Sequence, residues 1–227
     1  MTWISVLALL LSAVGSAALA WAARQGGGSL RATRLALAGL LALSEATLVF
    51  WPVAAGGWTD ASSLPLQLSD LATVLAIGAL CCANCPRWGE LAYLLAVPSA
   101  LLALAFPAPG AVPPSPLYYG FWVDHGSLLA AGAVLATSFP LRMSWAAVVR
   151  AWGATALLAA VDGVVNLVTG GDYMFLRQPP SGWSPLRVMG PWPVYVLTAL
   201  VLCPLVFLAI AWPLWGQPRA HSAKGRW

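Results

Sequence analysis

Seven apolar stretches alternate along the chain with short segments rich in glycine and proline. They cover 3–23, 35–55, 64–83, 88–106, 118–139, 145–168 and 194–215. An α-helix rises about 1.5 Å per residue, so about 20 apolar residues cross a ~30 Å hydrocarbon core. Each stretch is therefore predicted to be a membrane-crossing helix. The intervening segments, such as "RQGGGS", "AAGGWTD" and "PAPGAVPPSP", read as loops. No internal repeat and no separate soluble domain interrupts the pattern. The expectation is all-α: a polytopic membrane helix bundle with seven transmembrane helices in one integral domain, residues 1–227, ending in a short basic tail, 216–227.

Composition agrees. Of 227 residues, 60% are hydrophobic and 8% charged, with a mean hydropathy of +0.81. Soluble domains carry about 25% charged residues, so this chain lacks the polar groups to cover a water-facing surface. Thirteen tryptophans suit the headgroup level of a bilayer. The first run lacks a basic leader and exceeds the apolar core of a signal peptide, so it reads as a retained helix.

Charge sets an expected orientation. Arg24, Arg31, Arg34, Arg87, Arg142, Arg150, Arg219, Lys224 and Arg226 fall in the first, third and fifth loops and the tail. Only Arg177 and Arg187 fall in the sixth loop, and the second and fourth have no Lys or Arg. The positive-inside bias then predicts the N-terminus outside, the C-terminus in the cytoplasm, and a cell-membrane location. The net charge of +4 follows from these loops and carries no sign of nucleic-acid binding.

The polar positions that break the apolar pattern carry the candidate chemistry. Glu45 lies in the second span, Gln67, Ser69 and Asp70 early in the third, Asp124 and His125 early in the fifth, and Asp162 and Asn166 late in the sixth. With the predicted orientation, all fall in the outer half of the bilayer. Ionisable groups in hydrocarbon are costly and face the bundle interior, where they pair or serve function. A shared, outward-opening polar site is the expectation, with interhelical hydrogen-bond glue as the structural alternative. Asp162 and Asn166 share a helical face, as do Gln67 and Asp70. Asp124 and His125 are adjacent and splayed, so they meet different neighbours.

His125 is the candidate general base, Ser69 the candidate nucleophile, and Asp124, Asp162 or Glu45 the group that orients the imidazole. Glu45, Gln67, Asp70, Asn166, Tyr173, Arg177 and Arg187 are candidate substrate-binding residues, the two arginines because a guanidinium suits phosphate or carboxylate. The Cys82-x-x-Cys85 pair has no second pair and no nearby histidine, so zinc is not expected, and the cysteines read as small apolar fillers. No metal site, phosphate-binding glycine loop or dinucleotide fingerprint is present, and no cofactor is implied.

Three motifs, "LPLQLSD", "YYGFWVDH" and "DYMFLRQPP…GPWPVY", resemble the YwaF-type bacterial integral membrane family. The resemblance runs from about residue 35 to 215. That family is in turn similar to a eukaryotic transmembrane group that remodels ether phospholipids by acyl transfer, using a membrane-embedded Cys and His. The resemblance places the His on His125. Leu66 stands where the Cys is expected, and Asp172 stands where Asn usually precedes Tyr173. It implies membrane lipids as partners, a phospholipid as substrate, and lipid acyltransferase or hydrolase activity. The alternative from the residues themselves is a non-catalytic membrane protein that binds or moves a small polar or lipidic ligand. Nothing in the sequence specifies an oligomeric state.

Overall fold

The computed structural model describes residues 3–24, 28–82 and 85–216. Those residues form seven α-helices and no strand: α1 (Trp3–Arg24), α2 (Gly28–Ala54), α3 (Leu68–Cys81), α4 (Pro86–Ala105), α5 (Pro116–Ser138), α6 (Trp145–Thr169) and α7 (Val194–Ala211). The basic residues of the tail lie outside the described residues.

Among the described residues four helices, α2, α4, α6 and α7, are long and apolar enough to cross a membrane. α5 has the length, 23 residues, and carries Asp124 and His125 within it. α3 has only 14 residues, about 21 Å of helix. It begins four residues later than the apolar run suggests. Pro65 precedes the helix instead of opening it, and Gln67 is the N-cap, with extended φ and ψ of −76° and 155°. Asp70, three residues on, takes the Gln67 backbone N–H at 2.8 Å. This is the acidic arm of a capping box, so an acid that reads as intramembrane is first of all a helix start.

α5 is the hub and packs on α1, α2, α3 and α4. α6 and α7 pack on one another and join the rest through α4. Close approach comes from small residues. Ala72, Ala76 and Ala79 of α3 and Ala92, Ala96 and Ala100 of α4 are all fully buried, and their three- and four-residue spacing clears a stripe along each helix. Between α4 and α5, a Cβ built on Gly132 would meet a Val97 methyl at 2.5 Å.

Contacts sort the loops to two ends. At one end the buried Arg34 donates to the Leu80 carbonyl at 2.9 Å and lies 4.6 Å from the Phe139 ring centre, tying α2 to the C-termini of α3 and α5. Arg150 pairs with Glu90 at 2.6 Å, linking α6 to the first turns of α4, and Met143 bridges to Trp215. Arg24 at the end of α1, Arg31 and Arg87 in the first turns of α2 and α4, and Arg142 between α5 and α6 belong to this end. The long α6–α7 segment meets the α2–α3 and α4–α5 loops at the other.

The packing predicts a contrast between two glycines. Gly132→Ala must displace the stiff Val97 side chain and should cost about 1–3 kcal/mol. Gly153→Ala in α6 meets nothing within 4 Å and should leave stability unchanged or raise it by up to about 1 kcal/mol. Thermal unfolding of the two variants in the same detergent checks this.

Candidate functional site

Asp124, buried in the middle of the hub helix, takes a hydrogen bond from the Ser44 hydroxyl of α2 at 2.9 Å. The Thr73 hydroxyl of α3 lies 3.5 Å from each of its carboxylate oxygens. One carboxylate thus joins three helices. Neither Ser44 nor Thr73 stands out in the sequence, where hydroxyls in apolar runs are common. The signal that finds them is the need of a buried acid for donors at its own depth.

His125 turns the other way, as adjacent helical positions must. Its Nδ1 donates to the Phe121 carbonyl of its own helix at 2.8 Å, and its ring lies 4.4 Å from the Phe121 ring. The Asp124 carboxylate is 3.9 Å from Nδ1, beyond hydrogen-bond reach. A neutral ring held in this way carries its lone pair on Nε2, which has no hydrogen bond among the described residues. The buried imidazole is poised as an acceptor. Ser69, its expected partner, faces the Asp70 carboxyl instead, and no hydrogen bond joins Ser69 to His125.

Four acids form a chain across the bundle. Glu45 of α2 lies within electrostatic range of Asp70 and Asp124, and Asp70 in turn within range of Asp124 and Asp162. Asp162 is fully buried, and both of its carboxylate oxygens lack a hydrogen-bond partner among the described residues. One oxygen of Glu45 is likewise buried and unpartnered. No grouping of His, Cys, Asp and Glu among the described residues has the geometry to hold a metal ion.

The α6–α7 segment is fastened at this end. Asn166, one turn beyond Asp162, grips the Tyr173 backbone twice: its Oδ1 accepts from the Tyr173 N–H at 2.8 Å, and its Nδ2 donates to the Tyr173 carbonyl at 3.0 Å. The Tyr173 hydroxyl donates to the Asp60 carbonyl and accepts from the Leu64 N–H, at 2.8 and 3.0 Å. Burial raises the Tyr173 phenol above its ordinary pKa, so it stays protonated for this bridge. Gln67 accepts from the Met174 N–H at 3.1 Å, and Tyr195 donates to the Phe175 carbonyl at 2.6 Å. Met174 and Phe175 both have φ of 54°, a region unusual for bulky side chains. These bonds hold the strained turn.

The two arginines of this segment are occupied with backbone. Arg177 donates to the Gly170 and Gly171 carbonyls beyond the C-terminus of α6, where a cation is favoured. Arg187 donates to the carbonyls of Pro180, Ser181 and Gly182 and so folds the proline-rich turn. The structure therefore brings together Glu45, Asp70, Asp124 and Asp162, joins Gln67, Asn166 and Tyr173 in the loop above them, and leaves Arg177 and Arg187 outside on the surface.

An apolar helical bundle with buried acids under a tethered loop defines a helical membrane protein. The sequence profile of the TMEM164 family, a transmembrane family, matches residues 1–211, and the chain belongs to that family. No curated protein and no solved structure matches it.

Tyr173→Phe leaves the Leu64 N–H and the Asp60 carbonyl without their partner and should cost about 1–3 kcal/mol. The loss should be local. Hydrogen exchange at Leu64 and at 173–176 should speed up, while amides at the centres of α4 and α5 keep their protection.

Proposed function

We propose that this membrane protein binds a cationic, amine-bearing ligand, the headgroup of an aminophospholipid or a free amine, at the acidic layer beneath the Tyr173 loop. The observation that carries the reading is Asp162, a buried carboxylate with no hydrogen-bond partner among the described residues. A buried anion needs a counter-charge or a hydrogen-bond donor. The layer offers acids from four helices and no Lys or Arg, so its chemistry selects a cation over a bare phosphate. In this reading Asp162 and Glu45 meet the ligand and Asp124 holds the helices. All seven helices cross a cell membrane, with the N-terminus outside and the basic end in the cytoplasm. The acidic layer then opens to the outer leaflet.

Binding can be measured by native mass spectrometry of the purified protein with short-chain phosphatidylethanolamine, phosphatidylglycerol and ethanolamine. Wild type should prefer the amine-bearing lipid or the free amine. Asp162→Asn should lose about ten- to a hundredfold in affinity, the range expected for a charge-assisted hydrogen bond of ~1.5–3 kcal/mol. Ser69→Ala should change it less than about twofold. Equal binding of phosphatidylglycerol, or unchanged affinity in Asp162→Asn, would sink the reading.

A second reading is favoured by the unengaged Nε2 of His125: a lipid acyltransferase or hydrolase with His125 as general base, as the resemblance to the ether-lipid remodelling group implies. It needs a nucleophile other than a Ser69 already hydrogen-bonded to His125, such as a substrate hydroxyl. Under it, His125→Ala abolishes acyl turnover of an added lysophospholipid with a phospholipid donor, and Ser69→Ala does not. Intact turnover in His125→Ala excludes it.

A further inference from the structure

At the basic end of the bundle, remote from the acids, Cys82 and Cys85 form a disulfide. Cys82 is the C-cap of α3 and Cys85 the N-cap of α4, with Pro86 opening that helix. Both are only partly buried, and between them they fasten the two helices that share the alanine stripes. Cys81, exposed beside them, and Cys203 in α7 are free thiols. Arg87 lies in the first turn of α4, and Arg34 binds the Leu80 carbonyl two residues before Cys82.

We propose that Cys82 and Cys85 are a thiol–disulfide exchange site whose co-reactant is a low-molecular-weight thiol/disulfide couple of the glutathione class. Three independent features support this. The bond already exists between residues at a C-x-x-C spacing. Both of its cysteines are only partly buried. Cys85 is the N-cap of α4, and a helix N-terminus favours a negative sulfur, the attacking species in exchange. In the orientation proposed above, this end faces the reducing compartment, where disulfides that do form are transient or redox-sensing.

The chemistry balances. In the dithiol state the Cys85 thiolate attacks one sulfur of an oxidised partner, RSSR, forming a mixed disulfide and expelling RS⁻. The Cys82 thiolate then attacks the Cys85 sulfur, closes the Cys82–Cys85 bond and expels the second RS⁻. The sum is protein dithiol plus RSSR giving protein disulfide plus two RSH, and reduction runs the steps backwards. Opening the bond frees the junction between α3 and α4 without touching the hydrogen bonds of Asp124.

The test uses the full chain in detergent, equilibrated across glutathione/glutathione-disulfide ratios, acid-quenched, denatured and labelled with a polymer maleimide. The expected gel pattern moves from four labelled thiols to two as the buffer becomes oxidising, with the change spanning the glutathione range and reversing on return. Four labelled thiols at every ratio, or two at every ratio, overturns the proposal. The order of attack is read separately from the reduced variants. Cys82→Ser should keep a fast iodoacetamide-reactive thiol, and Cys85→Ser should lose it by about tenfold or more. Slower alkylation of Cys82→Ser than of Cys85→Ser refutes the assigned attacker. Because the readout is thiol counting, it stands or falls apart from ligand binding at Asp162.

Discussion

The Asp124 carboxylate is the interaction on which the bundle turns. Hydrocarbon offers no water to a polar group, so a charge-bearing side chain at the centre of the hub helix must be satisfied by its neighbours. Ser44 and Thr73 do this, one from each of two flanking helices. That requirement sets the rotation of α2 and α3 about α5 in a way that apolar packing alone cannot. Lipid tails are as apolar as leucine, so helix contact in a membrane gains from fit and hydrogen bonds more than from exclusion of water. The alanine stripes of α3 and α4 and the Gly132–Val97 contact supply the fit. Arg34 and Glu90–Arg150 supply polar fastening at the opposite end.

The loop between α6 and α7 is the complement of that node. α3 starts late because Pro65 and the extended Gln67 keep the chain from coiling before Leu68. The extended stretch this leaves is what Tyr173 reaches, through the Leu64 N–H and the Asp60 carbonyl. Asn166 then fixes the Tyr173 backbone to α6. A single tyrosine thereby couples α6 to the approach of α3, two elements whose direct packing is slight. The short α3 and the ordered loop are one device: the residues that do not extend the helix form the seat of the loop.

Much of this was legible in the sequence, and the parts that were not share a cause. Several helix limits follow hydropathy because the run meets proline or glycine, as at Pro116 and Gly170, but α2 starts at Gly28, about seven residues before its apolar run. The start of α3 departs from the reading because Leu64 and Leu66 are apolar without being helical. The layer of acids was legible, since ionisable residues are rare in apolar runs. Their partners were not: Ser44 and Thr73 look like any other hydroxyl until the rotation of the helices is known. Arg177 and Arg187 read as headgroup ligands, because a sequence cannot show that nearby carbonyls already occupy a guanidinium. The Cys82–Cys85 bond was not legible, because a C-x-x-C pair with no second pair and no histidine near it reads as small apolar fillers. The family profile fixes kinship across residues 1–211, yet neither that nor the fold assigns chemistry to one side chain.

Two aspartates of the same layer separate structural glue from a site. Asp124 and Asp162 are equally buried, and sequence gives them equal standing. Asp124 has donors from two helices, so its charge is accounted for by the fold itself. Asp162 sits one turn below Asn166, whose amide grips the Tyr173 backbone at both ends and makes no hydrogen bond to its neighbour. A residue kept only to knit helices gains nothing from that arrangement, because a buried unpaired polar group costs more than an apolar one of the same size. Its retention makes sense if something outside the fold supplies the missing partner.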